Sequence, residues 1–376
     1  MPRRPYLLIY RHDTLVGDRG DVKNTFKIAG RDLSFMVGGE VQHNDLKRAG
    51  NPTPNYTVPV VKLDPFNPQP FFDPGFPYVQ QRDVLIDTKA AFAESVFNAT
   101  DRMKIVTGLR WEQIDLGYTP YPSLVLASQT YKPFTGRVGG IYELTSNANL
   151  YASYSRAVEP TTQLVSLDGS QQRFSLVPGS QFEVGAKGAA LRNRLEGTVA
   201  YFAIDKRDLL ITQLINAVQT AQQIGEQNSH GVELTVVARP TKSLTLAADY
   251  AFTTAQFVDF IEIASNVNTD RSGNTPSNVP RTIWNFSPTQ RIGRFDLMAT
   301  IRQLGTRWGD NANTRLVDGF TTIDAAVGYH VARGLKVAVR GRNLTDKIYT
   351  QSVSNTAGRL EPPRSVDVTL TTNFRR

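Results

Sequence analysis

Hydrophobic and polar residues alternate along many segments of this chain. In residues 322–331, Ile323, Val327 and Tyr329 occupy odd positions, whereas Asp324 occupies an even position. Because successive side chains of a β-strand point to opposite faces, such a segment has one apolar face and one polar face. The pattern therefore predicts strands that lie between an apolar and an aqueous environment.

The same alternation recurs along almost the whole chain and predicts fifteen or sixteen antiparallel strands. The predicted strands are residues 6–11, 22–29, 33–44, 87–98, 103–114, 135–144, 149–156, 182–191, 195–206, 231–239, 244–254, 281–287, 295–304, 322–331, 335–343 and 366–374. A long series of alternating segments, each of about ten residues, is typical of a transmembrane β-barrel.

Short and long connections alternate between the predicted strands. Tight turns are predicted at residues 30–32, 146–147, 192–193, 240–243 and 332–334, and long polar loops at 47–81, 159–179, 258–279 and 347–362. Barrels of the bacterial outer membrane have short periplasmic turns and long external loops. We therefore predict one all-β domain over residues 1–376, an antiparallel transmembrane barrel of the bacterial cell outer membrane. The alternative is a soluble all-β binding protein whose apolar face packs against a second sheet.

The amino-acid composition further limits the possible classes of protein. Only 40% of the 376 residues are hydrophobic, and no run approaches the ~20 apolar residues of a membrane-spanning helix. Strand alternation halves the apolar content of a spanning segment, so a barrel remains possible. The absence of cysteine excludes disulfides and thiolate zinc sites. The net charge of +8 comes from scattered basic residues, which favours solvated polar faces over a nucleic-acid interface.

Catalytic motifs are not visible in the sequence. His12, His43, His230 and His330 are far apart and do not match the spacing of zinc ligands. No nucleophile elbow or glycine-rich phosphate loop occurs. We therefore expect neither catalysis nor a protein-held metal, and we interpret His330 as a polar-face residue near a turn.

Several strand sequences resemble a known family. The segments Phe-Thr-Gly-Arg-Val-Gly-Gly-Ile-Tyr at 134–142 and Asn-Leu-Tyr-Ala-Ser-Tyr-Ser-Arg at 149–156 are similar to paired barrel strands of TonB-dependent siderophore receptors. Residues 182–187 and 195–206 are similar as well, and so are the Gly-Val-Glu-Leu strand opening at 231–234 and the Asn-Leu-Thr-Asp-Lys-Ile-Tyr segment at 343–349. The order and spacing of these segments over most of the chain carry the resemblance.

The resemblance implies a 22-stranded barrel with a plugged lumen, of which this chain supplies about fifteen or sixteen strands. No plug and no signal peptide are visible, so we expect the C-terminal part of such a barrel. Members of the family usually end on an aromatic residue. Phe374 has the corresponding phase in the last predicted strand, although Arg375 and Arg376 follow it. The chain alone is therefore expected to be incompetent for active import.

The implied function is TonB-dependent outer-membrane transport of ferric siderophores. The iron would be carried by the siderophore ligand rather than held by the protein. The implied partners are the ferric siderophore, outer-membrane lipid and, through an N-terminal part, the inner-membrane energy-transducing TonB complex; we expect a monomer and no nucleic acid. A passive porin-like channel is the alternative within the same fold.

A siderophore site needs aromatic side chains to stack on the chelate and cations to balance its charge. The candidates, chosen because they lie near the long loops, are Tyr131, Arg156, Arg302, Arg307 and Trp308. Two other interpretations stay open. Arg156 and Arg302 could pair with lumenal carboxylates such as Glu112, Glu183 or Glu233, and Trp308 could belong to an aromatic girdle at the membrane interface.

Overall fold

The computed structural model of the protein describes residues 9–50, 79–159, 174–216, 218–353 and 358–373. The regular elements in these ranges are all β-strands, numbered β1 to β22 in chain order. The described residues contain no helix that is long and apolar enough to cross a membrane. The first eleven strands are β1 (Ile9–Ile28), β2 (Arg31–Gly50), β3 (Val79–Asn98), β4 (Met103–Pro120), β5 (Ala127–Tyr131), β6 (Phe134–Thr145), β7 (Ala148–Val158), β8 (Pro178–Ala190), β9 (Leu195–Ile215), β10 (Val218–Ala238) and β11 (Leu244–Asp259). The other eleven are β12 (Ile261–Ala264), β13 (Val267–Asp270), β14 (Thr282–Ile292), β15 (Phe295–Leu304), β16 (Arg307–Trp308), β17 (Leu316–Val317), β18 (Phe320–Ala332), β19 (Leu335–Arg342), β20 (Thr350–Val353), β21 (Gly358–Leu360) and β22 (Ser365–Thr372).

Sixteen of these strands form a single antiparallel sheet in which each long strand pairs with the next along the chain. The order is β1-β2-β3-β4-β6-β7-β8-β9-β10-β11-β14-β15-β18-β19-β22, and β5 also pairs with β4. The remaining six strands form three hairpins in the long connections, β12 with β13, β16 with β17 and β20 with β21. The predicted antiparallel series is confirmed. Its two edge strands, β1 and β22, are not paired with each other within the described ranges.

The strands extend further toward the long loops than the alternation predicted. β1, β2 and β3 have 20 residues each, and β9 and β10 have 21. About ten residues are enough to cross the hydrocarbon layer. Beyond that layer both faces of a strand meet water, so the hydrogen-bonded ladder continues where the alternation fades. Residues 9–11 belong to β1 rather than to a strand of their own.

Parts of the predicted series lie outside the described residues. These are residues 6–8, Phe374, and the central parts of the loops predicted at 47–81, 159–179 and 347–362.

The first hairpin turns at Ala29 and Gly30, earlier than the predicted turn at 30–32. Both residues have positive φ, 51° and 77°, as a two-residue type I′ turn requires. Glycine adopts this conformation without a steric penalty, which fixes the turn at this position. This turn fixes the register of β1 on β2, so that Arg11 lies opposite Arg48.

Side chains of directly paired residues lie on the same face of the sheet. The alternation within each strand therefore produces continuous apolar and polar rows across the strands. Val184, Tyr201 and Val232 follow one another across β8, β9 and β10 on what is called here the apolar face. Val327 and Tyr329, on the same face, are 46% and 38% exposed, so no second layer of protein covers them. The soluble sandwich, which required these side chains to be buried, is therefore wrong. The opposite side of the sheet is the polar face.

Side-chain amides tie the long connections to one another. Asn278 pairs with both the backbone N–H and the carbonyl of Val353, each at 2.8 Å. Asn313 pairs with both backbone groups of Thr275 in the same way, again at 2.8 Å. A carboxamide used like this replaces one residue of a β-ladder. The β11–β14, β15–β18 and β19–β22 connections therefore form one linked block, called here the loop block.

Substituting lysine on the apolar face should destabilise the sheet in a membrane. Ala248 lies mid-strand in β11, in the apolar row between Val236 and Phe286. Ala248→Lys is expected to lower the free energy of unfolding by about 2–4 kcal/mol, because the ammonium group would face hydrocarbon. Urea unfolding in phospholipid vesicles measures the change. The matched control is Ala247→Lys, an identical substitution one residue away on the polar face, which should cost far less; equal losses would contradict the assignment of the faces.

Removing one amide tie should loosen the loop block locally. Asn278→Ala deletes two hydrogen bonds, each with a net contribution of about 0.5–1.5 kcal/mol. Hydrogen exchange at the Val353 amide is therefore expected to accelerate about tenfold, with an unchanged midpoint of global unfolding. Asn268→Ala is the reciprocal control, because Asn268 ties both backbone groups of Leu214 at 2.7 and 2.9 Å. That variant should expose the Leu214 amide and leave Val353 protected.

Candidate functional site

Several charged side chains of the polar face form ion pairs within the sheet. The Arg110 guanidinium of β4 lies 3.1 Å from a carboxylate oxygen of Glu40 in β2 and 2.6 Å from one of Glu112. Near a turn, the Asp296 carboxylate accepts from Lys336 at 2.6 Å and lies 2.8 Å from the His330 ring. His330 is thus on the polar face near a turn, as predicted. Such paired charges leave little net field in this region.

One row of the polar face, near the long loops, carries three arginines. Arg48 of β2 lies opposite Arg11 of β1 on one side and Arg82 of β3 on the other. Arg82 is 8% exposed. The Nε atom of Arg48 is buried and has no hydrogen-bond partner in the part of the chain described. Three cations in one row repel one another, so the row is suited to an anion that carries several negative charges.

Apolar and aromatic side chains lie directly beside this arginine row. Leu46 and Val84 occupy the next row on the same face, opposite each other on β2 and β3. They pack with Tyr118 and Tyr131 in one buried cluster. Burial raises the pKa of the Tyr131 phenol, so that it stays neutral and keeps its proton. The row and the cluster together offer cations on one side and aromatic surface on the other.

A second cationic region lies in the loop block around Arg307. The side chain is 2% exposed, and its Nη2 donates to the carbonyl of Thr350. Its Nε and Nη1 atoms are buried and, among the described residues, have no hydrogen-bond partner. Desolvation by burial lowers the pKa of Arg307. A buried guanidinium with free donors would gain from a negatively charged ligand.

Aromatic groups also accompany Arg307. The rings of Phe320 and Tyr349 are stacked with centroids 4.0 Å apart. Tyr349 immediately precedes Thr350, the residue that Arg307 binds. Arg302 lies close enough to act electrostatically on Tyr349. Arg302 and Arg307 therefore approach the same Tyr349–Thr350 segment from β15 and from β16.

The structure brings some of the five predicted site residues together and separates others. Arg302, Arg307 and Trp308 belong to or adjoin the loop block, where the Trp308 carbonyl accepts from the backbone N–H of Asn278 at 2.7 Å. Tyr131 lies apart from them, 6% exposed, in the cluster beside the arginine row. As ligand contacts, all five remain predictions.

Arg156 lies on the opposite side of the sheet from the others. It is in phase with Tyr154, which is 50% exposed on the apolar face. Arg156 shares its phase with Leu150 and Ala152, so the alternation already indicated the apolar face; its charge and its place near a long loop suggested the lumen instead. The alternative, in which Arg156 and Arg302 pair with lumenal carboxylates, is not formed among the described residues: Glu112 pairs with Arg110, and Glu183 accepts from Tyr151 at 2.8 Å.

The arginine row was missed at the level of sequence. Arg11, Arg48 and Arg82 lie far apart along the chain, and only the strand register places them side by side. A signal was available, since Arg11 and Arg48 are equally distant from the Ala29–Gly30 turn. Placing that turn at 30–32 concealed it. No group of three or more His, Cys, Asp or Glu side chains in the described ranges could hold a metal ion.

Comparisons with known proteins agree with this architecture. Residues 5–344 match the family model described as TonB dependent receptor-like, beta-barrel. The ferrichrome outer membrane transporter/phage receptor of Escherichia coli K12 is 29% identical over 268 residues, which is 69% of this chain and 34% of that protein. An uncharacterized TonB-dependent receptor of Haemophilus influenzae is 26% identical over 337 residues, 84% of this chain and 90% of that protein.

Solved structures show the same fold. The siderophore receptor PiuA from Acinetobacter baumannii superposes with a TM-score of 0.83 at 19% identity, covering 97% of this chain and 56% of that one. The ferric-catecholate import receptor Fiu of E. coli K12, in its closed form, gives 0.80 at 19% identity, covering 97% and 55%. The chain spans about a third of the length of the first curated relatives it matches. It belongs to the TonB-dependent receptor-like β-barrel family of the bacterial outer membrane, in which its polar face lines the lumen and its apolar face meets lipid.

Proposed function

We propose that this chain is the barrel part of a receptor and transporter, rather than an enzyme, for TonB-dependent uptake of ferric siderophores. The family match covers residues 5–344. Relatives include proteins named for ferrichrome, ferrioxamine and ferric pyoverdine. Residues 1–376 would then act as a single barrel domain, and the iron would arrive already bound by its siderophore.

One observation carries the proposal: at the loop end of the lumen, Arg48 and Arg307 form no ion pair with a carboxylate of the described residues and lie beside aromatic rings. Nε and Nη1 of buried Arg307 have no hydrogen-bond partner within the described ranges, and the stacked Phe320 and Tyr349 rings lie close by. Arg48 adds a second such guanidinium beside Tyr118 and its cluster. An anionic iron chelate presents both a negative charge and flat or apolar surfaces, so it complements these regions.

The proposed partners follow from the two faces and from the family. The lumenal face would bind the ferric siderophore, and the apolar face would contact outer-membrane lipid as a monomer. Energy would come from the TonB complex of the inner membrane through a part of the receptor other than the barrel strands. Nucleic acid has no place in this scheme, because the basic residues of the polar face are either paired or turned into a lumen.

Arg307→Gln should weaken binding of a ferric chelate about tenfold or more. A hydrogen bond to a charged group contributes about 1.5–3 kcal/mol, and the glutamine amide can still donate to Thr350. Titrations of the purified protein with ferrichrome, ferrioxamine, ferric citrate and a ferric catecholate, followed by tryptophan fluorescence, measure the affinity. The loss is expected for the anionic citrate and catecholate chelates, because the two hydroxamate chelates carry no net negative charge. Trp308, next to Arg307, serves as the reporter.

Two further variants show which region contacts the ligand and whether the effect is specific. Arg48→Gln tests the arginine row in the same titration, and a loss confined to one variant identifies the region that contacts the ligand. Arg333→Gln removes the same charge from an exposed turn at the opposite end of the barrel and should change nothing. If the folded protein bound none of the four chelates saturably, the proposed function would be wrong.

A further inference from the structure

The apolar face carries an unusual cationic notch near the long loops. Arg156 of β7 lies in one row with Gly136 of β6, Ser180 of β8 and Asp205 of β9. Arg207 follows two residues after Asp205, where an irregularity interrupts the pairing of β9 with β10, and it borders the same space as Arg156 and Asp205. Ser180 of β8, which lies between the strands of the two arginines, has a small side chain and leaves room between them.

A cavity occupies that room. Its volume is about 240 Å³, and its lining residues are Tyr154, Arg156, Pro178, Gly179, Ser180, Asp205 and Arg207. Both arginines therefore border the same space. The volume suits a compact headgroup and is small for a folded partner segment.

The notch is surrounded by lipid-facing side chains. One row nearer the turns, Val138, Tyr154 and Phe182 are 45–50% exposed. One row nearer the loops, Trp111 and Phe134 are 42% and 61% exposed. Aromatic side chains of this kind gather at the level of the lipid headgroups. The two arginines thus lie at the height where the apolar band meets the headgroups, on the outside of the barrel.

Among the described residues, the acidic groups near the notch do not balance its positive charge. Two guanidinium groups face one carboxylate, that of Asp205. On the polar face the neighbouring Lys206 is paired with Glu159 at 2.7 Å. Arg156 and Arg207, by contrast, form no ion pair with any described residue of the chain, Asp205 included. An unpaired cation at a membrane interface is stabilised by an anionic lipid headgroup.

We propose that this notch binds the phosphate group of a lipid in the external leaflet. Arg156 and Arg207 would clamp the phosphate oxygens, since guanidinium groups match them in a two-pronged geometry. The acyl chains would run along Val138, Tyr154 and Phe182 toward the turns. These apolar contacts favour a phospholipid over free phosphate, because free phosphate has no acyl chain to contact the apolar side chains. The site lies outside the lumen and does not depend on the proposed uptake function.

Lipid selectivity of the full chain in a bilayer tests the proposal. The protein is purified from membranes and reconstituted in phosphatidylcholine vesicles that contain dibrominated phosphatidic acid or dibrominated phosphatidylcholine as the quencher. Tryptophan quenching then gives the relative association constant of each lipid, with Trp111 one row from the notch as a reporter. Phosphatidic acid is expected to associate several-fold more strongly than phosphatidylcholine, and increasing salt should reduce the difference.

Matched variants locate the effect. Arg156→Gln and Arg207→Gln should each reduce the preference about threefold or more, and the double variant should abolish it. Asp205→Asn removes the carboxylate from the lining and should strengthen the preference. Arg137→Gln is the control, because Arg137 lies beside β7 on the polar face, where it pairs with Glu94 at 3.2 Å. It should leave the preference unchanged.

Two outcomes would overturn the proposal. Retention of the full preference by the folded double variant would show that the phosphate binds elsewhere. Loss of the preference when inorganic phosphate replaces chloride at constant ionic strength would show that the notch recognises free phosphate rather than a lipid. Circular dichroism and heat-dependent electrophoretic migration confirm that each variant retains the barrel sheet.

Discussion

Continuous backbone pairing is the constraint on which this structure depends. In hydrocarbon no water is present to satisfy an unpaired N–H or carbonyl, so spanning segments persist only as part of a hydrogen-bonded ladder. The main sheet meets this demand by pairing each long strand with the next, through fifteen strands in succession. The order of the strands along the chain is therefore also their order in space, and every row of side chains is fixed by turns such as Ala29–Gly30.

The ladder separates two chemical environments without a packed core. One face must be apolar because it meets lipid, and the other can be charged because it lines the lumen. Paired groups such as Arg110 and Glu112 neutralise the middle of the lumen. Against that background, Arg48 and Arg307 have buried donors without a partner among the described residues, and an anion would be stabilised there. Arg156 gives the lipid-facing side a comparable feature, near the headgroups.

The long connections are ordered by a device different from the ladder. Asn278 and Asn313 pair with the backbone of neighbouring loops as if each were one residue of a strand. In this way the loop block holds Arg307 and Tyr349 in position above the lumen. A rigid arrangement of binding groups loses less conformational entropy when a ligand binds. The sheet and the loop block thus both hold the side chains of the proposed binding region in place.

The sequence by itself determined the class of the fold, its antiparallel order and most of its strands, because an alternation of period two leaves little choice of structure in lipid. It also placed Arg302 and Arg307 near the long loops. What it could not determine is which residues meet across strands. The arginine row depends on register, and a turn misplaced by one or two residues moves every partner. The neighbours of Arg156 were likewise decided only by the sheet, because the register of β6 and β8 on β7 places Gly136 and Ser180 beside it.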